Sequence, residues 1–213
     1  MNSEVLRFFD SSLAPTSARD RRPDFRKLLG DAAWGRLPAA VRARFDRDAH
    51  RVATAYLGEA DVKASRGGRW FAQLCRLVGT PVAPFVGEDV PMRVNVFDSP
   101  QGVVWERSYE FPHRKPVIVR STKQLDDDGG LVEGLNVGLY MRLRVYEENG
   151  ALHFLSTGYY FRAGPLHFNL PDWFLPGATH VIHEDLGDGR FRFTMRTDHR
   201  WFGSMFFQDG VFH

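Results

Sequence analysis

Apolar and polar side chains alternate along both halves of the stretch from Leu135 to Phe161, which has Asn149-Gly150 near its centre. An Asn-Gly pair between two alternating runs predicts a β-hairpin, because a type I′ turn requires positive φ at both central residues. With a two-residue turn, Tyr140 would lie opposite Tyr159. The outgoing arm alone would span about 40 Å at roughly 3.3 Å per residue, about twice a usual strand, so we expect a strongly curved sheet.

Periodicity divides the chain into a helical part and a strand part. We expect residues 1–22 to form a flexible leader and residues 23–213 to form a single domain. Within it, 23–80 is predicted to be mostly helical, with a short hairpin between Arg51 and Ser65. Residues 91–213 consist of alternating runs separated by Gly, Pro and Asp clusters, which predict antiparallel strands with short turns. The predicted fold class is α+β: a mainly antiparallel, strongly curved β-sheet or barrel-like cup with N-terminal helices packed over an opening.

Composition narrows the functional classes. The chain has 213 residues, 43% of them hydrophobic, and a net charge of +2, so it is long and apolar enough to bury a sizeable core. No basic patch with interleaved aromatic residues occurs, and we therefore expect no nucleic-acid partner. No apolar run of membrane-spanning length and no apolar signal core are present, which predicts a cytoplasmic protein without a membrane span. Cys75 is the single cysteine, which excludes an internal disulfide and a cysteine-based metal site.

One predicted strand combines an arginine with aromatic side chains. Alternation along Trp105-x-Arg107-x-Tyr109 places these three side chains on one face. The planar guanidinium of Arg107 suits a carboxylate or phosphate, so it is a candidate to bind the anionic or carbonyl group of a ligand inside the cup. The alternative is an internal ion pair with Glu133 or Glu184.

Further candidates are side chains that the predicted strands would direct into the cup, or that a loop would place at its end. The predicted ligand-binding set is Trp105, Arg107, Tyr109, Met141, Tyr160 and Trp173. The candidates for acid or base catalysis are Glu133, Glu184 and His199. Trp173 belongs to an aromatic loop between Gly164 and Gly177, which either closes one end of a barrel core or forms a lid over a ligand.

Neither a metal site nor a cofactor is predicted. His180 and His183 suggest a ligand pair, but on a strand they would point to opposite faces, which prevents shared ligation. The aspartates from 126 to 128 lack the alternate spacing and the distant glutamate of a calcium loop, and they are typical of a solvated turn. Neither a phosphate-binding loop nor a dinucleotide glycine fingerprint occurs.

Short segments spread from Phe25 to Gly210 resemble a bacterial family, domain of unknown function 4166. The matching segments are Phe25-Arg-Lys-Leu-Leu-Gly30 with Leu37-Pro38, Gly87-Glu-Asp-Val-Pro91, Trp105-x-Arg107, Glu133 in its Leu-Val-Glu-Gly segment, Gly164-Pro-Leu166 with Leu175-Pro176, Glu184, and Asp188-Gly-Arg-Phe-Arg-Phe193. Such domains occur alone or attached to NAD(P)-dependent oxidoreductase domains of the saccharopine dehydrogenase-like kind. The resemblance implies a context in small-molecule or lipid metabolism, and it supplies no reaction.

Together these observations predict that a β-cup binds a hydrophobic or acyl-like small molecule, in a metabolic or biosynthetic context. Arg107 would engage an anionic or carbonyl group, and the aromatic and methionine side chains would form an apolar wall. Two alternatives stay open. One is a metal-independent isomerase or cyclase that uses general acid/base catalysis in the same cup. The other is an accessory domain that docks on an NAD(P)-dependent oxidoreductase.

Overall fold

The computed structural model describes residues 20–75, 83–135, 138–171 and 175–213. Residues 1–19 of the predicted leader lie outside this part of the chain. The described helices are α1 (Phe25–Leu29), α2 (Asp31–Arg36), α3 (Ala39–Phe45) and α4 (Arg66–Cys75). The described strands are β1 (Thr54–Ala64), β2 (Gly87–Ser99), β3 (Gly102–Tyr109), β4 (Val117–Leu125), β5 (Leu131–Gly134), β6 (Leu139–Glu148), β7 (Ala151–Ala163), β8 (Leu166–Asn169), β9 (Ala178–Gly187), β10 (Arg190–His199) and β11 (Gly203–Phe212).

Ten of these strands close into an antiparallel barrel. Strands β1 to β7 are neighbours in sequence order, and β9, β10 and β11 continue the ring back to β1. Closure comes from β7, which pairs with both β6 and β9, while the short β8 extends β7 as a side hairpin. The predicted α+β class with a curved, barrel-like sheet is confirmed. About eight strands already leave an interior that side chains can just fill, so ten leave room for a cavity.

The hairpin at Asn149-Gly150 forms as predicted near its turn and departs from the prediction further out. Asn149 and Gly150 have φ of 53° and 78°, the positive values that the turn requires. A β-bulge at Thr157 then shifts the register, so that Tyr140 pairs with Tyr160 and not with Tyr159. Because side chains alternate along a strand, this one inserted residue turns Tyr159 inward and Tyr160 outward.

Two further strand predictions are corrected. The outgoing arm of the hairpin is β6, which begins at Leu139, later than predicted, after Gly138 with φ of 82°. The stretch from 51 to 65 contains the single strand β1 instead of a hairpin. Gly58 does not form a turn there. A Cβ atom at Gly58 would lie 2.1 Å from the carbonyl oxygen of Val211, so glycine allows β11 to approach closely.

The first three helices close one end of the barrel, here called the lower end. Helices α1 and α2 pack on β6, and α3 packs on β9. The ring of Phe45, the last residue of α3, lies 5.8 Å from Trp105, 5.8 Å from Phe154 and 4.8 Å from His183, measured between ring centroids. These rings form an aromatic floor, and the predicted packing of N-terminal helices over an opening is confirmed.

The opposite, upper end is where β1 ends and α4 follows. Helix α4 packs on β1 and β11. Gly67 and Gly68 lie inside this helix. A Cβ atom at Gly68 would lie 1.8 Å from the carbonyl oxygen of Met205, so only glycine lets the helix backbone contact β11.

Candidate functional site

A cavity of about 660 Å³ occupies the inside of the barrel and reaches its upper end. This volume is within the range of about 300–1,000 Å³ that is typical of small-molecule sites. Its wall is largely aliphatic and aromatic, and representative lining residues are Met92, Val94, Met141, Phe191, Phe193 and Met195. The polar side chains of the wall fall into a few groups, and their contacts determine what the cavity can bind.

Three ionised side chains meet on the neighbouring strands β3, β4 and β5. Lys123 Nζ lies 3.1 Å from Glu133 Oε2, and Arg107 Nη2 lies 3.8 Å from Glu133 Oε1. Arg107 Nη2 also donates a hydrogen bond of 2.7 Å to Ser121 Oγ. The three charged residues are buried in the protein and line the cavity. With Lys123 protonated, two cations and one carboxylate leave this wall with one uncompensated positive charge.

The electrostatics of this cluster keep Glu133 ionised. Burial alone raises the pKa of a carboxyl group, but the attraction of Lys123 and Arg107, together with hydrogen bonds, outweighs burial and lowers the pKa of Glu133. Burial lowers the pKa of Lys123, and the positive charge of Arg107 acts in the same direction. Arg107 Nε has no hydrogen-bond partner. The guanidinium therefore keeps a donor that the protein does not use.

A neutral histidine lies next to the aromatic floor. His183 is fully buried, and its ring contacts Phe45, Trp105 and Phe193. Burial, reinforced by nearby cations, places the pKa of His183 well below 6.5, so the imidazole is uncharged. Its Nδ1 atom has no hydrogen-bond partner. His180 lies on the outer face of β9, as the alternation predicted, and does not line the cavity.

A chain of hydroxyl groups lies on the other side of the cavity, on β7, β9 and β10. Tyr159 Oη lies 3.1 Å from Thr179 Oγ1, which lies 3.1 Å from Thr197 Oγ1. Burial raises the pKa of Tyr159, so its phenol stays protonated. Strand β10 is five strands away from β4 in the ring of ten, so the Thr197 end of the hydroxyl chain is on the wall opposite Lys123, whereas Tyr159 on β7 is only two strands from Glu133 on β5.

His199 lies near the upper end of the cavity and is held in one tautomer. Its Nδ1 accepts hydrogen bonds from the backbone N–H groups of Trp201, at 3.2 Å, and Phe202, at 3.3 Å. An Nδ1 that accepts two hydrogen bonds cannot carry a proton, so the proton of the neutral ring is on Nε2. His199 can therefore donate a hydrogen bond from Nε2 to a molecule in the cavity.

Five of the predicted site residues line the cavity: Trp105, Arg107, Glu133, Met141 and His199. The predicted internal ion pair of Arg107 with a glutamate is found with Glu133. The predicted ligand role and the ion pair are thus compatible, because Arg107 makes the ion pair and still lines the cavity.

Three predicted residues do not line the cavity, and a fourth lies outside the described residues. Tyr109 is buried behind it, where its hydroxyl donates a hydrogen bond of 2.8 Å to Oε1 of the lining residue Gln208. Tyr160 points outward because of the bulge in β7, and its ring stacks on Tyr140 with centroids 5.1 Å apart. Glu184 is exposed on the outer face of β9, since His183 takes the inward position beside it. Trp173 lies outside the described residues.

Lys123 is a member of the charged cluster that sequence reasoning missed. The turn from Asp126 to Gly130 pairs Leu125 with Leu131, and the same register places Lys123 directly opposite Glu133. A lysine on the inward face of a predicted strand, opposite a glutamate, was therefore a signal available in the sequence.

The comparison with known families agrees with the resemblance noted in the sequence. A family model described as a domain of unknown function, DUF4166, matches residues 37–212. The chain belongs to this family. The matched range contains α3, α4 and every strand of the barrel, so the cavity belongs to the family domain. A comparison with curated proteins gives no match.

The described residues lack two further features. Among the described residues, no group of three or more His, Cys, Asp or Glu side chains is arranged to hold a metal ion. None of the helices in the described ranges is long and apolar enough to cross a membrane. Because one fold serves many functions, the function is argued from the contacts of the cavity.

Proposed function

We propose that the barrel binds a hydrophobic small molecule with an anionic or strongly polar acyl head, such as a long-chain carboxylic acid. The observation that carries this proposal is a cavity with an apolar wall and a single cationic cluster, formed by Arg107 and Lys123 around Glu133. A mostly apolar pocket with a few convergent polar groups is the usual form of a small-molecule site.

The charge of the cluster favours an anionic head over a neutral one. The carboxylate of Glu133 balances only one of the two cations, and both cations line the cavity. In a buried site, a ligand carboxylate would gain charge-assisted hydrogen bonds and would compensate the remaining positive charge. Because Arg107 and Lys123 are already buried and positioned in the folded protein, they offset part of the desolvation free energy of such a head group.

Arg107 and Lys123 would hold the head group, while the apolar wall would hold the chain of the ligand. Trp105 and Met141, both predicted as wall residues, line the cavity, and Tyr159 replaces Tyr160 in this role. The hydroxyl chain from Tyr159 to Thr197 supplies neutral donors and acceptors on the other side, which suit a hydroxyl or carbonyl group along the ligand.

A comparison of two ligands that differ only in their head group tests the proposal. Calorimetric titrations of the full chain would use a saturated fatty acid and the alcohol of the same length. Hydrogen bonds to charged groups contribute about 1.5–3 kcal/mol, so we expect the acid to bind about ten- to a hundredfold more tightly. Arg107→Gln should remove most of this preference while binding of the alcohol stays close to wild type.

Arg144→Gln provides the matched control, because Arg144 is exposed on the outer face of β6. It should bind both ligands like the wild type. Equal affinity for acid and alcohol in the wild type, or an unchanged preference in Arg107→Gln, would refute the role of the cluster. Binding of neither ligand, together with a bare mass of the freshly purified protein in native mass spectrometry, would refute the choice of long-chain ligands.

A second candidate, metal-independent isomerisation or cyclisation, is favoured by the fixed tautomer of His199. Its Nε2–H is a fixed hydrogen-bond donor at the cavity that would polarise a carbonyl group of the substrate, whereas Glu133 is held ionised between two cations and is poorly suited to proton transfer. We would extract and identify any ligand that co-purifies with the wild type and with His199→Gln. Different products from the two proteins would indicate turnover, and identical ones would favour binding alone. The docking on an NAD(P)-dependent oxidoreductase stays a prediction, since no described contact bears on it.

A further inference from the structure

The mouth of the cavity carries large aromatic side chains that face the solvent. Trp70 on α4 is 68% exposed, and Trp201 and Phe202, in the turn between β10 and β11, are 60% and 68% exposed. Trp70 and Phe202 also line the cavity, and the rings of Trp201 and Phe202 lie 5.6 Å and 4.7 Å from His199. These three side chains, here called the aromatic rim, therefore surround the route into the barrel.

Arginines accompany the aromatic rim on the same two segments. Arg66 and Arg69 are exposed on α4, and Arg200 is exposed beside Trp201, with its guanidinium carbon 4.6 Å from the indole centroid. None of the three forms an ion pair with another described residue. Asp198, the acidic side chain of this turn, is already paired with Arg196 at 2.5 Å. The rim thus combines exposed aromatic rings with uncompensated positive charge.

We propose that this rim docks on an anionic phospholipid surface and places the mouth of the cavity against the membrane. Trp and other amphipathic aromatic side chains favour the headgroup region of a bilayer, and arginines near the surface are attracted to anionic lipids. A molecule with an apolar chain could then pass between the bilayer and the barrel without crossing water. This inference goes beyond ligand binding, since it concerns the surface around the cavity.

The charge of the rim distinguishes a lipid surface from the other occupants of an exposed aromatic patch. A second copy of the chain would bring the same three arginines against each other, because a two-fold interface juxtaposes identical surfaces. Like charges directly opposed would weaken such a dimer. An anionic lipid surface instead compensates all three charges at once. The overall charge of +2 acts in the same direction.

Co-sedimentation with vesicles tests the proposal on the full chain. We expect binding to vesicles of phosphatidylcholine mixed with phosphatidylglycerol, weaker binding at high salt, and little binding to phosphatidylcholine alone. Each arginine near the surface should contribute about fivefold to partitioning, so Arg66→Gln, Arg69→Gln and Arg200→Gln together should weaken it about a hundredfold. Trp201→Ser should weaken binding to the same vesicles by roughly tenfold, because the indole no longer inserts.

Arg190 provides the matched control. It is the first residue of β10, at the end of the strand opposite to Arg200, and it is also exposed. Arg190→Gln should leave vesicle binding unchanged, whereas Arg200→Gln should weaken it. Equal effects of these two substitutions would overturn the proposal, as would equal binding to neutral and anionic vesicles. Failure of the full chain to co-sediment would also overturn it. Analytical ultracentrifugation of the same sample would then show whether a second copy covers the rim.

This test is independent of the ligand titrations. Arg200 and Trp201 do not line the cavity, so their substitution should leave the affinity for the fatty acid unchanged. Arg107→Gln should conversely leave vesicle binding unchanged. Loss of one property without the other identifies which of the two proposals has failed.

Discussion

Replacement of Glu133 by glutamine should destabilise the protein strongly, because it leaves two cations buried without their counterion. At an effective dielectric constant of about 20, the attraction of Glu133 is about 5 kcal/mol for Lys123 at 3.1 Å and about 4 kcal/mol for Arg107 at 3.8 Å. Much of this attraction offsets the desolvation of the three ions. Removal of one partner from a buried ion pair typically costs about 3–5 kcal/mol, and we expect Glu133→Gln to fall in this range.

The loss of stability in Glu133→Gln should depend on pH, and the direction of the shift in the pKa of Lys123 determines how. The pKa of Lys123 is already lowered by burial, and without Glu133 it should fall further. Between that lowered pKa and the ordinary value of about 10.4, the unfolded state binds more protons than the folded state, so the stability of the variant rises with pH. In the wild type Glu133 opposes the lowering of the Lys123 pKa, so wild-type stability rises less with pH over this interval than that of the variant. The deficit of Glu133→Gln should therefore be smaller near about pH 9.5 than near about pH 7. Adding Lys123→Met should recover part of the deficit at about pH 7.

Urea denaturation followed by tryptophan fluorescence measures these differences. Asp31→Asn is the control, because Asp31 pairs with Arg26 at 2.7 Å on the surface and both side chains are exposed. Surface ion pairs contribute about 0–1 kcal/mol, so this substitution should change the free energy of unfolding little. A loss in Glu133→Gln no larger than in Asp31→Asn would refute the buried cluster. The same loss at both pH values would refute the account of Lys123.

Three further outcomes test other parts of the structure. His183 is neutral in the folded protein, whereas in the unfolded chain it protonates below about pH 6.5. Its effect on the free energy of unfolding is therefore constant above that pH, and the protein loses stability as the pH falls below it. Between about pH 7.5 and 5.5, the free energy of unfolding of His183→Phe, measured by urea titration, should fall by about 1.4 kcal/mol less than that of the wild type. Phe45→Ala should cost about 3–5 kcal/mol by opening the floor of the barrel, and an unchanged melting temperature would contradict this role. Gly68→Ala should prevent α4 from packing on Met205 and lower the melting temperature, whereas Gly35→Ala, which meets no atom within 4 Å, should leave it unchanged or raise it.

The sequence predicted the fold class and much of the site, but not the register beyond the bulge. Alternation and the Asn149-Gly150 turn sufficed for the antiparallel barrel and for the start of the long hairpin. The bulge at Thr157 has no signature in the alternation, because it depends on how β7 bends to meet both β6 and β9. For that reason Tyr160 was predicted as a wall residue, although Tyr159 occupies the position.

The position of Lys123, unlike that of Tyr159, could have been predicted from the local sequence pattern. Its pairing with Glu133 follows from the register of a single turn, and their charges are opposite. The sequence could not predict the position of β3, the strand that brings Arg107 within 3.8 Å of the carboxylate of Glu133. Pairing between neighbouring strands is local and can be counted, whereas contact across a third strand requires the twist and curvature of the sheet.

The two ends of the barrel are built differently in the part of the chain that the structure describes. At the lower end, Phe45 fills the space between the strands, and the charged cluster with His183 lies above this floor. At the upper end, α4 rests on β11 through Gly68, which keeps the helix close to the sheet and leaves Trp70 facing the solvent. The charged cluster is therefore deep, and large aromatic side chains surround the mouth. A ligand with one polar end would enter with that end first, and its chain would follow from the aromatic rim.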